Sequence, residues 1–171
     1  MKLLTIPLIC LSLIVTSAAM AGPEDPSSAE GTAYTAPQKV VFDAVYDNPG
    51  DMKAVLATVS AHIRALKEHG NPPVEIVVVS HGNELNGLAR ANRTRFPDMY
   101  DAVRQVTGQG VRIHICGGAA RLRGYGPADF YDFVTVVPVA PTDLAKLEGE
   151  GYAYVRLGSS APRITRDDLA K

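Results

Sequence analysis

The chain reads as short, almost purely apolar runs set between longer amphipathic ones. "KVVFDAV" (39–45) is apolar and rich in strand-forming residues, and "VEIVVVS" (74–80) is nearly continuous in branched apolar residues, the pattern of a strand buried on both faces. Between them, "GDMKAVLATVSAHIRALKEHG" (50–70) sets Met52, Val55, Leu56, Val59, Ile63 and Leu66 at helical spacing. Asp51 is the predicted N-cap of that helix and Gly70 the residue just past its end. A short helix is expected over 87–94 ("GLARANRT"). A longer one is expected over 97–110 ("PDMYDAVRQVTGQG"), where Met99, Val103 and Val106 share a face. "VRIHIC" (111–116) is the next strand, and "GPADFYD" (126–132) a helical turn. "FVTVVPV" (133–139) is a strand that Pro138 assigns to an edge or an end. "PTDLAKLEGEG" (141–151) is a short helix and "YAYVRL" (152–157) the last strand.

Strands alternating with helices predict an α/β fold: a three-layer sandwich around a mostly parallel sheet of about five strands, joined by right-handed crossovers. Open sheets of this kind place ligands beyond the carboxyl ends of their strands. Three short segments stand there: Tyr46, Asp47 and Asn48; Ser80, His81, Gly82 and Asn83; Cys116, Gly117 and Gly118.

The two ends of the chain depart from this pattern. "MKLLTIPLICLSLIVTSAAMA" (1–21) has one Lys, an apolar run too short to span a bilayer, and an Ala-x-Ala ending, which together predict a cleaved export signal. Residues 22–38 read as a flexible linker, 39–158 as the α/β domain and 159–171 as a loosely ordered tail. The mature protein is therefore expected to be periplasmic or secreted, with no membrane segment left after cleavage. A formal net charge of −1 and the absence of Trp give no reason to expect nucleic acid as a partner.

Export changes the meaning of the cysteines. The chain has 2, and Cys10 leaves with the signal, so Cys116 becomes a single thiol in an oxidising compartment and an internal disulfide is excluded. His114 and Cys116 share a face of their strand, because side chains alternate. Gly117 and Gly118 let the backbone turn sharply and are expected to leave the sulfur uncovered. A helix starting just after them would favour the thiolate, the reactive form. The other reading of the same residues is that Cys116 is a small core residue, chemically inert. His81 lies within reach of Cys116 if the second and third strands are neighbours, and would tune the thiol or act as its base. Alternatively it is a loop residue with a local hydrogen bond. A metal site built from Cys116, His114 and His81 lacks any recognisable ligand spacing, so none is predicted. His62 and His69 are expected at the surface or an interface. Arg121 and Arg123 stand close enough beyond Cys116 to attract an anionic sulfur species, or else form a solvated pair. No phosphate loop, dinucleotide fingerprint or nucleophile elbow is present, and no cofactor is predicted.

Taken together, several pieces resemble the DsrE/DsrF-like family of small α/β sulfur-relay proteins, over about Lys39 to Leu157. They are the opening "KVVFDAVYDNPGDMKAVLATVSAHI", the strand and His-Gly loop "VEIVVVSHGNEL", the strand "VRIHICGGAARLRG" ending in cysteine, and the closing "LAKLEGEGYAYVRL". The resemblance implies a flavodoxin-like, DsrEFH-like sheet and assembly into homo-oligomers, commonly trimers or hexamers. It also implies that the cysteine after the third strand, here Cys116, carries sulfur as a persulfide exchanged with a thiol-bearing donor or acceptor protein. His81 joins Cys116 as the predicted catalytic pair, with Gly82, Asn83, His114, Gly117 and Gly118 around the substrate. The competing expectation is a non-enzymatic homo-oligomeric binding protein in which Cys116 is inert.

Overall fold

A computed structural model of the protein describes Ser28, Ala29 and residues 31–158, and the fold is that of the unit beginning at Ala33. The predicted export signal, the first residues of the linker and the tail lie outside the described residues. Five strands form one sheet: β1 (Gln38–Val45), β2 (Val74–Ser80), β3 (Arg112–Cys116), β4 (Thr135–Val137) and β5 (Ala153–Gly158). Their order is β4-β3-β2-β1-β5, and every neighbouring pair is parallel. All five carboxyl ends therefore lie along one edge. Strand β4 is only 3 residues long and ends before Pro138, at the sheet's edge, as the missing N–H requires.

Alternation along the strands sorts side chains into two cores. On one face, α1 (Met52–Glu68) and α2 (Met99–Thr107) pack over Val40, Phe42, Ala44, Ile76, Val78, Ile113 and Ile115. The opposite face carries Val41, Val77, Val79, Cys116 and Tyr152 beneath α4 (Ala140–Gly149), which contributes Ala140 and Leu147. The layers follow from the chain path. Successive crossovers carry the chain from β1 out to β4, and the return to β5 beyond β1 passes over the other face.

Local details differ from the sequence reading in three places. Asp51 does not cap α1 with its side chain; a 3₁₀ turn, Pro49–Asp51, leads into the helix and the Asp51 carboxylate bonds back to Asn48. The helix expected over 87–94 is replaced by two 3₁₀ segments, Asn83–Leu88 and Arg90–Asn92. The loop is held by its own amide side chains, with Asn86 Nδ2 donating to Asn83 O and Asn92 Nδ2 to Asn86 O, which compete with helical pairing. His62 packs edge-on to Phe42 at 5.6 Å rather than standing free at the surface. Gly70 follows α1 at φ 136°, a conformation open to glycine, with Tyr34 backbone packed against it.

Candidate functional site

The Gly-Gly turn after β3 opens a one-and-a-half-turn helix, α3 (Gly117–Leu122), and Cys116 is its N-cap. The sulfur takes the place usually held by a Ser or Asp oxygen, accepting from Ala119 N at 3.3 Å. A second backbone amide reaches it from a distant segment: Ala140 N, at the start of α4, donates at 3.2 Å. Two N–H groups from the starts of two helices thus converge on one free thiol.

The glycines have a different job from the one expected. A Cβ on Gly117 would lie 2.7 Å from Val137 O, and Gly118 N donates to Pro138 O. They let the end of β4 come against the start of α3, which brings Ala140 to the sulfur. Cys116 is consequently 6% exposed, not uncovered. At Gly118 an added Cβ would stand 3.7 Å from Sγ, 3.2 Å from Val139 Cγ1 and 3.9 Å from Arg121 Nη2.

His114 sits on the same face, and its Nδ1 bonds Asp143 Oδ2 at 2.7 Å, both side chains almost buried. That pair ties the first turn of α4 to β3. His81, one residue past β2, turns the other way: its Nε2 bonds Asp43 Oδ1 at 2.6 Å. Asp43 is 3% exposed inside β1, and its other oxygen accepts from Tyr154 Oη at 2.5 Å. Acceptance by the carboxylate holds the Tyr154 hydroxyl above its ordinary pKa, with burial acting in the same direction. The register pairs Val79 with His114 and Ser80 with Ile115, so His81, one residue past β2, and Cys116, the last residue of β3, each follow that final pair. Their hydrogen bonds go elsewhere, to Asp43 and to the two amides.

Gly82 and Asn83 serve the loop rather than the sulfur. Glu84, fully buried, accepts from Tyr46 N (2.7 Å), Ser80 Oγ (2.7 Å) and Gly82 N (2.9 Å), which fixes the exits of β1 and β2 together. A Cβ on Gly82 would lie 2.5 Å from Tyr46 N. Asn83 donates to Asp47 O and accepts from Arg123 Nε and Nη2. It lines a cavity of about 330 Å³ with Asn86, Asn92, Arg95, Phe96 and Tyr125. Arg123 is thus engaged in the fold, whereas Arg121 lies beside the glycines.

Among the described residues, no group of three or more His, Cys, Asp or Glu side chains is placed to hold a metal ion. Sequence reasoning passed over Asp43, Tyr154, Asp143 and Glu84. Asp43 left a signal, since it is the one acidic residue in β1 and interrupts its apolar run. Tyr154 left none, because its partner is 111 positions away.

Comparison with known proteins agrees with this architecture. The model of the DsrE/DsrF-like family matches residues 39–157. Among solved structures, a protein of unknown function, MTH1491 from Methanobacterium thermoautotrophicum, is similar at 26% identity with a TM-score of 0.57. The alignment covers 70% of this chain and 99% of that one. No curated protein matches.

Proposed function

The chain belongs to the DsrE/DsrF-like family, and from that premise we propose that it is an exported sulfur-relay protein that carries sulfane sulfur as a persulfide on Cys116. Family membership supports a role of the sulfur-relay type. The observation that carries the assignment to Cys116 is the convergence of Ala119 N and Ala140 N on its sulfur at 3.3 and 3.2 Å. Backbone donors aimed at a cysteine sulfur make the kind of electropositive surroundings in which reactive cysteines are found. The same sulfur shares an apolar cluster with Val41, Val77 and Val79. In this reading the protein works in the periplasm or outside the cell, as a trimer or hexamer, with a thiol-bearing donor or acceptor protein.

Intact-mass analysis after incubation with polysulfide tests the assignment. Wild type is expected to gain sulfur that a reductant removes, and Cys116→Ser to gain none. Equal gain by the two, or no gain by wild type, ends the proposal.

A second reading rests on the 6% exposure of Cys116: a binding protein whose cysteine is a structural N-cap. Thiol titration separates them. A sulfur carrier reacts in the native state, whereas a structural thiol reacts only after denaturation.

A further inference from the structure

The Asp43–His81–Tyr154 group is more elaborate than a loop histidine requires. A carboxylate 3% exposed inside an otherwise apolar strand is costly to hold there unless its oxygens are bonded. Here each oxygen has one partner: His81 Nε2 on one and Tyr154 Oη on the other. The acid faces inward, whereas 27% of the His81 side chain is exposed and Tyr154 is 42% exposed.

We propose that Asp43, steadied by Tyr154, is a positioning residue that fixes His81 as the proton carrier for the sulfur of Cys116. This rests on the reading of Cys116 as the sulfur-bearing residue. With Nε2–H donated to Asp43, the neutral imidazole keeps its lone pair on Nδ1. The two ring nitrogens face nearly opposite ways. Asp43 lies on β1, on one side of β2, and Cys116 on β3, on the other. Nδ1 is thereby directed away from β1, toward the side where β3 runs at the usual strand spacing of about 4.8 Å. Because Ser80 pairs with Ile115, the next step sets His81 alongside Cys116, and alternation puts both on the α4 face.

Of the remaining charged groups, the Arg121 guanidinium lies beside Gly117 and Gly118, on the Cys116 side. His114 and Asp143 hold each other. Glu84 is saturated within the loop. Arg156 sits in register with Asp43 on β5, next to Tyr154.

The step balances without an external oxidant. The Cys116 thiol gives its proton to His81 Nδ1, and the thiolate attacks the outer sulfur of an organic persulfide, R–S–S⁻. The new Cys116 S–S bond forms as the donor's S–S bond breaks. The donor thiolate leaves with the electron pair, and His81 returns the proton to it as RSH. Cys116 is left as the persulfide anion.

The test is the rate at which iodoacetamide alkylates the native thiol, followed by intact mass across pH for wild type, Asp43→Asn, His81→Gln and Tyr154→Phe. Removing the carboxylate or the imidazole is expected to slow alkylation at neutral pH by roughly tenfold or more. An Asp43→Asn/His81→Gln double variant should be no slower than His81→Gln, since the two act as a unit. Tyr154→Phe should give a smaller loss in the same direction. A merely structural Asp43 lowers the urea midpoint and leaves the native thiol's pH profile where it was. An Asp43→Asn profile superimposed on wild type overturns the proposal, and if that variant does not fold, Tyr154→Phe decides on the same criterion. Altered alkylation without sulfur loading would remove the carrier and keep the relay. Loading with unaltered alkylation would remove the relay alone.

Discussion

The amide of Ala140 donates to the sulfur of Cys116 at 3.2 Å, across 24 positions of chain and from a different helix. One consequence is that the site is completed only when α4 has docked. Besides the packing of Ala140 and Leu147, the bond between His114 and Asp143 ties it to β3.

Asp143→Ala therefore reaches the sulfur indirectly. Losing this almost buried bond is expected to cost about 1–3 kcal/mol in urea denaturation and to leave His114 Nδ1 without its partner. Hydrogen exchange at the Ala140 amide should speed up by more than the global loss explains. An Ala140 amide exchanging in step with the rest of the core would argue that α4 holds its place without this pair.

The two glycines after Cys116 should separate fold from access. Gly117→Ala drives a Cβ to 2.7 Å from Val137 O, a backbone atom, and should cost about 1–3 kcal/mol. At Gly118 the nearest atom is the tip of Val139, at 3.2 Å, so alanine there should cost less than about 1 kcal/mol. It nonetheless adds a methyl beside Sγ, and alkylation of the native thiol should slow. Equal melting shifts for the two alanine variants would contradict this account.

Glu84→Gln tests the loop that carries His81. The buried carboxylate accepts three hydrogen bonds, and an amide in its place turns an NH₂ toward at least one donor. A loss of about 2–3 kcal/mol is expected by urea denaturation. A variant as stable as wild type would mean that the Tyr46–Glu84 and Ser80–Glu84 links contribute little.

His62 gives the fold a pH dependence of definite sign. Burial holds its imidazole below the ordinary value of 6.5, and its Nε2 is buried without a partner among the described residues. As pH falls below 6.5 the unfolded chain takes the proton first, so stability present above that value is lost on acidification through the lower folded pKa. His62→Leu keeps an apolar contact with Phe42 and should flatten the decline of unfolding free energy between about pH 7 and 5. An identical decline in variant and wild type would exclude His62 as its source.

The elements most legible in the sequence were those whose period is enforced by burial. The apolar spacing in α1 matched its buried face residue for residue, from Met52 to Leu66. The runs in β1 and β2 had to be central strands, because nothing else covers apolar residues on successive positions. The loop after β2 was misread as helical. Its residues are permissive of helix, and side-chain amides and a buried Glu84 decide otherwise.

At the site the division is similar. The sequence by itself determined that Cys116 and His81 stand at strand ends, since each follows an apolar run, and that a Gly-Gly pair follows the cysteine. Only the tertiary structure decided what touches them. The second amide on the sulfur comes from α4, the carboxylate on His81 from β1, and the phenol on that carboxylate from β5. The physical reason is range. Periodicity is a local record of which face is buried, while a hydrogen bond between segments 24, 38 or 111 positions apart exists only once the sheet order and helix docking have brought them together.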